Sequence, residues 1–242
     1  NSLASRVQSY QSQLIGDVTE VYQKILWNSS DLSAGLVCDG SPPNGGSGPD
    51  KSLDWTALLF FMDFHPNNPG IYFAGDDLAF EWNTLAHPSA IGFRGQYMNY
   101  LLTSGNHAAA PTLLPVSPVV YQNTLEPIGP PTMVAYGGCP VINDFDVMAP
   151  GGASCVINSS YNLKDGPFGA VMRQATPNPQ ATTARVVLSG FAYNFIRDDA
   201  PVVPDDRAVH MHDILTYFEN IIPDPIGIDA IAFENSLNDA YP

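Results

Sequence analysis

Three carboxylates crowd one short stretch of this chain. In GIYFAGDDLAFEW, residues 70–82, an apolar run from Ile71 to Ala74 meets Gly75, then Asp76 and Asp77, with Glu81 four residues beyond Asp77. The run predicts a buried strand over 71–74, and the residues after the glycine predict a helix over 76–84. Several hydrolase folds hold a nucleophile at such a strand-to-helix turn, because the tight turn lifts one side chain above the sheet. Asp77 stands two residues after the glycine, and an aspartate can act as a nucleophile. His65, two residues after Asp63 in DFHPNNPG, is the candidate base, its ring held by a carboxylate; a loop-capping role is the simpler alternative. Asp76, Asp77 and Glu81 together could instead hold a hard cation such as calcium. A plainer reading competes with both: negative charge at a helix N-terminus stabilises it by about 0.3–1 kcal/mol, and the residue types favour this capped helix.

Other residues with chemical potential are scattered. His210 and His212 sit two apart on an expected helix, so they point to different faces and make a poor metal pair. One half-exposed and one surface histidine is the expectation there. Asp144 and Asp146 alternate in NDFDVM and share one side of an extended segment, as a cation site or, more simply, as a turn-stabilising network. Cys139 and Cys155 flank a Gly/Pro-rich segment and could pair in an oxidising compartment, leaving Cys38 over; three unpaired thiols is the alternative. Asn28-Ser29-Ser30 and Asn158-Ser159-Ser160 match the N-glycosylation pattern. Tyr121, Tyr136 and Tyr161 could stack on sugars from loops, or simply pack half-buried.

The elements that must position these residues follow from periodicity. Apolar residues from Leu3 to Ile25 recur at helical spacing, interrupted near Gly16-Asp17, and Lys24–Trp27 then reads as a strand. DGSPPNGGSGPD, residues 39–50, is a loop. An amphipathic helix over 52–63 would bury Leu53, Ala57, Leu58, Phe61 and Met62, and another is expected around 92–103 on Phe93, Tyr97, Tyr100 and Leu101. From 108 to 165 prolines recur between short apolar runs, such as 118–121 and 133–136, predicting strands and loops. Further strands are expected at 168–173 and 185–189. A helix is expected over 205–221, capped by Asp205, with Met211, Ile214, Leu215, Phe218 and Ile222 on one face. Strands alternating with helices predict a layered α/β domain with a mostly parallel sheet flanked by helices and a strand-and-loop-rich insertion at 108–165.

Composition narrows the function. The chain has 242 residues, 45% apolar and 14% charged, with a formal net charge of −15. That balance argues against a nucleic-acid partner, which calls for a basic patch, and fits an extracellular or cation-binding protein. No apolar run approaches the roughly 18–20 residues of a spanning helix, so membrane insertion is not expected. The chain opens on Asn1 with no leader-like pattern, which suggests a processed chain or a fragment.

Several phrases add a family likeness. ILWNSSDLS, KSLDWTALLFFMD, GIYFAGDDLAFEW, PVINDFDVMAP and ARVVLSGFAYNFI, the last followed by a helix, resemble the class I glutamine amidotransferase-like domains of large secreted bacterial proteins, over about residues 20–222. The resemblance implies a flavodoxin-like, amidotransferase-like fold. In catalytic members the elbow holds Cys, and His and Glu follow a late strand. Here Asp77 stands at the elbow, and Val186–Ser189 runs into Gly190-Phe191-Ala192-Tyr193. The departure implies a kept fold and a lost triad. Related domains also open with a strand that is not evident here, and upstream sequence or another chain would supply it. GIDAIAFENSLNDAYP, residues 227–242, is similar to the linker that precedes a C-terminal sorting or FlgD-like immunoglobulin domain. That implies one domain over 1–222, a linker over 223–242, and export by a type IX-like route to the cell surface or medium.

Three functions follow in order of support. The first is a non-catalytic secreted or cell-surface module with a structural or self-assembly role, its partners being copies of itself or neighbouring chains. The second is a carbohydrate- or surface-ligand-binding module, with calcium as a stabilising ion. The third is a hydrolase using Asp77 and His65.

Overall fold

The computed structural model describes residues 23–30, 37, 54–64, 68–85, 88–107, 119–123, 132–135, 145–151, 156–163, 169–175, 184–196 and 206–219. In chain order the elements are β1 (Lys24–Ser30), α1 (Asp54–Phe64), β2 (Gly70–Gly75), α2 (Leu78–Thr84), α3 (Pro88–Phe93), a π-helical turn (Arg94–Met98) and β3 (Tyr100–His107). There follow β4 (Val119–Asn123), β5 (Thr132–Ala135), β6 (Phe145–Pro150), β7 (Val156–Leu163), β8 (Gly169–Ala175), β9 (Arg185–Ser189), a 3₁₀ turn (Tyr193–Phe195) and α4 (Asp206–Glu219).

One sheet joins the strands in the order β1-β2-β9-β8-β7-β4-β5, with β3 attached through β6, which also pairs with β8. The pairings β1–β2 and β2–β9 are parallel. The others are antiparallel. The parallel character, expected of most of the sheet, is thus confined to a three-stranded unit. The segment expected to be an inserted region of strands and loops contributes β4 to β7, which extend the same sheet rather than forming a separate body.

Side chains of the parallel strands alternate between two cores, as the two-residue period of a strand requires. Ile71, Phe73, Val186 and Leu188 enter one core with residues of α1, α2, α3 and the π turn, while Tyr72, Ala74 and Val187 enter the other with Phe191, Phe195, Ile214 and Phe218. Helices therefore cover both faces, which explains why GIYFA is apolar at every position rather than alternating. Aromatic edges lock the first core: Trp55 meets Trp82 at 5.0 Å and Phe93 at 5.5 Å between ring centroids, and Phe73 meets Trp82 at 4.8 Å. Helix α4 is fastened to the opposite face by the Lys24–Glu219 ion pair at 3.1 Å, by Arg207 donating to the Ile196 carbonyl at 2.8 Å, and by Arg185 over the Tyr217 ring.

Several expectations change in detail. Helix α1 buries Trp55 in place of Ala57, which is half-exposed, alongside the expected Leu58, Phe61 and Met62; Leu53 lies outside the described residues. On α4, Met211, Ile214 and Phe218 turn inward, but Leu215 is 40% exposed. The helix expected around 92–103 stops at Met98. Tyr100 to Gly105 form part of β3, pairing with β6, and their exposure alternates with period two, so tertiary pairing overrides the local helical spacing. Tyr121 and Tyr161 lie on paired strands, not in loops. The expected helix before Lys24, the loop 39–50, the Asp205 cap, Tyr136, Ile222 and the tail from 223 lie outside the described residues.

Candidate functional site

In open α/β sheets the reactive end lies beyond the carboxyl ends of the parallel strands. Here Asn28 and Ser29 of β1, Gly75 of β2, and Ser189 and Gly190 at the end of β9 converge at that end. Chain crossing requires close approach at two of these positions. A Cβ on Gly75 would lie 1.8 Å from Ser29 Oγ, and a Cβ on Gly190 would lie 2.1 Å from the Asp146 carbonyl oxygen.

Past Gly75 the chain turns through Asp76, which is buried, and Asp77, which is half-buried and left-handed with φ 58° and ψ 3°. Helix α2 begins at the next residue. Asp77 occupies its N-cap position, yet makes no side-chain capping hydrogen bond. The carboxylate that caps the helix arrives from β6 instead. Asp146, wholly buried, accepts from the Ala79 amide at 2.7 Å and the Phe80 amide at 3.1 Å through Oδ2. Its own amide donates to the Gly190 carbonyl at 2.8 Å, so one residue ties β6 to both the turn and the end of β9. Of the two alternatives for the NDFDVM aspartates, Asp146 takes the turn-stabilising one; Asp144 lies outside the described residues.

Behind Asp146, the Tyr100 hydroxyl donates to the Ala79 carbonyl at 2.6 Å, and Arg94 donates to the Leu85 carbonyl at 3.1 Å. Burial pushes the Tyr100 hydroxyl far above the usual tyrosine range; Arg94 opposes the shift and the Asp146 charge adds to it. The folded chain thus keeps this proton where the unfolded chain, with an ordinary tyrosine pKa of about 10, loses it. The stabilisation is complete below that pH and declines above it. Between about pH 9 and about pH 11 the wild type should lose stability more steeply than Tyr100→Phe, as read from urea unfolding at each pH.

The other polar groups of this edge are tied to one another. Ser29 Oγ donates to the Ala74 carbonyl at 3.2 Å, and Ser189 Oγ to the Phe191 carbonyl at 2.8 Å. Asn28 donates to Asn194 Oδ1 and accepts from the Tyr193 amide, each at 3.0 Å, so the first glycosylation-like asparagine is a clip between β1 and the 3₁₀ turn.

The site residues named from sequence fare unevenly. Asp76 and Asp77 lie at the turn and Glu81 on the first turns of α2. Among the described residues, however, no three His, Cys, Asp or Glu side chains gather as a metal site. His65, Cys38, Cys139 and Cys155 lie outside the described residues. Asp63, the carboxylate expected beside His65, accepts hydrogen bonds from Tyr97 and from Gln96 of the π turn. His210 is fully buried rather than half-exposed, with its ring edge-on to Tyr72 and Nε2 3.4 Å from the Tyr72 hydroxyl; His212 is exposed. Sequence reasoning left the capping role of Asp146 open and missed the close-approach role of Gly190. The available signal was a carboxylate inside the apolar run Phe145–Met148.

Asp77 also carries a backbone test. Glycine at this left-handed position relieves about 1 kcal/mol of strain, against about 0.5 kcal/mol for the freer unfolded chain. Asp77→Gly and β-branched Asp77→Val both remove the carboxylate, so their difference reports the backbone: Asp77→Gly should be the more stable by at least about 1 kcal/mol, by chemical denaturation.

A parallel three-stranded unit covered by helices on both faces, with a strand-to-helix elbow at its carboxyl edge, defines a layered α/β domain. Set against protein-family models, curated proteins and solved structures, the chain matches none of them.

Proposed function

We propose that the chain is a non-catalytic module of a secreted or cell-surface protein, with a structural or self-assembly role, built on an amidotransferase-like framework whose elbow has become a structural joint. The observation that carries this reading is the Asp146 carboxylate on the Ala79 and Phe80 amides. Helix N-termini bind anions, and at an elbow that property helps hold a charged substrate or intermediate. Here an internal carboxylate occupies two of those amides. Ser29, Ser189 and Asn28 likewise spend hydrogen bonds on the fold itself. The acidic balance, a net charge of −15 with 9 lysines and arginines, supports an extracellular setting.

The test is turnover. Purified protein assayed against ester, amide and glycoside substrates should show no activity that Asp77→Asn removes. A rate that is present in the wild type and lost in Asp77→Asn would overturn the proposal and restore Asp77 as a nucleophile.

A further inference from the structure

Strand β1 is the edge of the sheet: among the described residues it pairs with β2 alone. The Gly70 amide donates to the Gln23 carbonyl, so residue 23 directs its backbone polar groups toward β2. Backbone groups alternate sides along a strand, so those of Lys24, Leu26 and Asn28 face away from β2. Natural edges are blunted by proline, by bulges or by outward-pointing lysine. The stretch from Lys24 to Asn28 is regular, with its first irregularity between Asn28 and Ser30, and it contains no proline. Its lysine is held down by Glu219 and by the Asn68 carbonyl. At the centre of the regular stretch Leu26 is 53% exposed.

Charge and pattern point to the occupant. The chain carries 24 acidic residues, yet KILWNSS contains none. Copies of a chain this acidic repel one another over most of their surface. Along β1 the strand itself brings no carboxylate, and Glu219 beside it is neutralised by Lys24. A two-fold antiparallel pairing centred on Leu26 sets Leu26 against Leu26, Ile25 against Trp27 and Lys24 against Asn28, apolar with apolar and no like charges opposed. We propose that a second copy of this chain docks on β1 in this register, continuing the sheet from one molecule into the next. The inference rests on the self-assembly reading above and names its interface.

Light scattering on the full chain gives the assembly state, and Leu26→Cys gives the register. Directly opposed residues of an antiparallel pair lie about 4.5–5.5 Å apart between Cα atoms, within disulfide range. Mild oxidation of Leu26→Cys should therefore join two molecules through position 26, identified by mass spectrometry of the linked peptide. Leu26→Glu sets two carboxylates against each other and should weaken self-association by about tenfold or more, with circular dichroism unchanged. A wild type that assembles, with no linkage through position 26 and full assembly of a folded Leu26→Glu, would overturn this interface and leave self-assembly standing. A wild type that stays monomeric at every concentration would overturn both.

Discussion

Asp146→Ala loses about 2–4 kcal/mol of stability, the sum expected for a charge-assisted cap on a helix N-terminus and for amides left without an acceptor. The carboxylate is wholly buried and serves Ala79 and Phe80 together, so no water takes its place without entering the core. Asp146→Asn keeps an oxygen acceptor of nearly the same shape and discards the charge, so it should lose about half as much. Denaturation midpoints at constant slope measure both variants. Hydrogen exchange supplies the local readout: the Ala79 and Phe80 amides should exchange faster in Asp146→Ala beyond the global change. A loss below about 0.5 kcal/mol would show that Asp146 is not the joint between β6 and α2.

The second large effect separates two glycines that look alike in sequence, Gly75 as the last residue of β2 and Gly190 as the first after β9. At Gly190 an added Cβ would meet the Asp146 carbonyl oxygen at 2.1 Å and its carbon at 2.9 Å, which are backbone atoms fixed by sheet pairing. Gly190→Ala should cost more than about 3 kcal/mol or abolish folding. At Gly75 the obstacle is a side chain, Ser29 Oγ at 1.8 Å, with Ser29 Cβ at 3.2 Å and Leu78 Cβ at 3.4 Å. Gly75→Ala should cost about 1–3 kcal/mol, because the serine must rotate and surrender its bond to Ala74. Removing the hydroxyl clears the space. The double variant Ser29→Ala/Gly75→Ala should recover at least about 1 kcal/mol relative to the sum of the two single changes. A double-mutant cycle measures the coupling, and additivity within about 0.3 kcal/mol would refute the contact.

Strands with a dense apolar run were legible in the sequence. Ile71–Ala74 and Arg185–Ser189 stand where expected, because a strand buried on both faces leaves no choice of residue type. Helix α1 was legible from its apolar spacing, apart from which residue of its first turn faces inward. The segment over 92–103 was not. Phe93, Tyr97 and Tyr100 share one spacing, but the last of them belongs to a strand whose partner lies about fifty residues later in sequence, and no local pattern carries that pairing. The elbow was legible as a turn, while its cap was not. Asp76 and Asp77 fit the composition of a capped N-terminus, yet the working cap comes from 67 residues away along the chain.

By itself, then, the sequence determined the local preferences: apolar strands buried on both faces, an amphipathic helix before the turn, a glycine where the chain tightens, and an acidic exterior. These depend on side-chain type and short spacing, which physics reads one segment at a time. Only the tertiary structure decided that the parallel character stops at three strands, that Asp146 rather than Asp77 caps α2, that His210 is buried against Tyr72, and that β1, among the described residues, pairs with β2 alone. Each of those is a long-range pairing. Its free energy comes from groups distant in the chain that meet only once the sheet has closed.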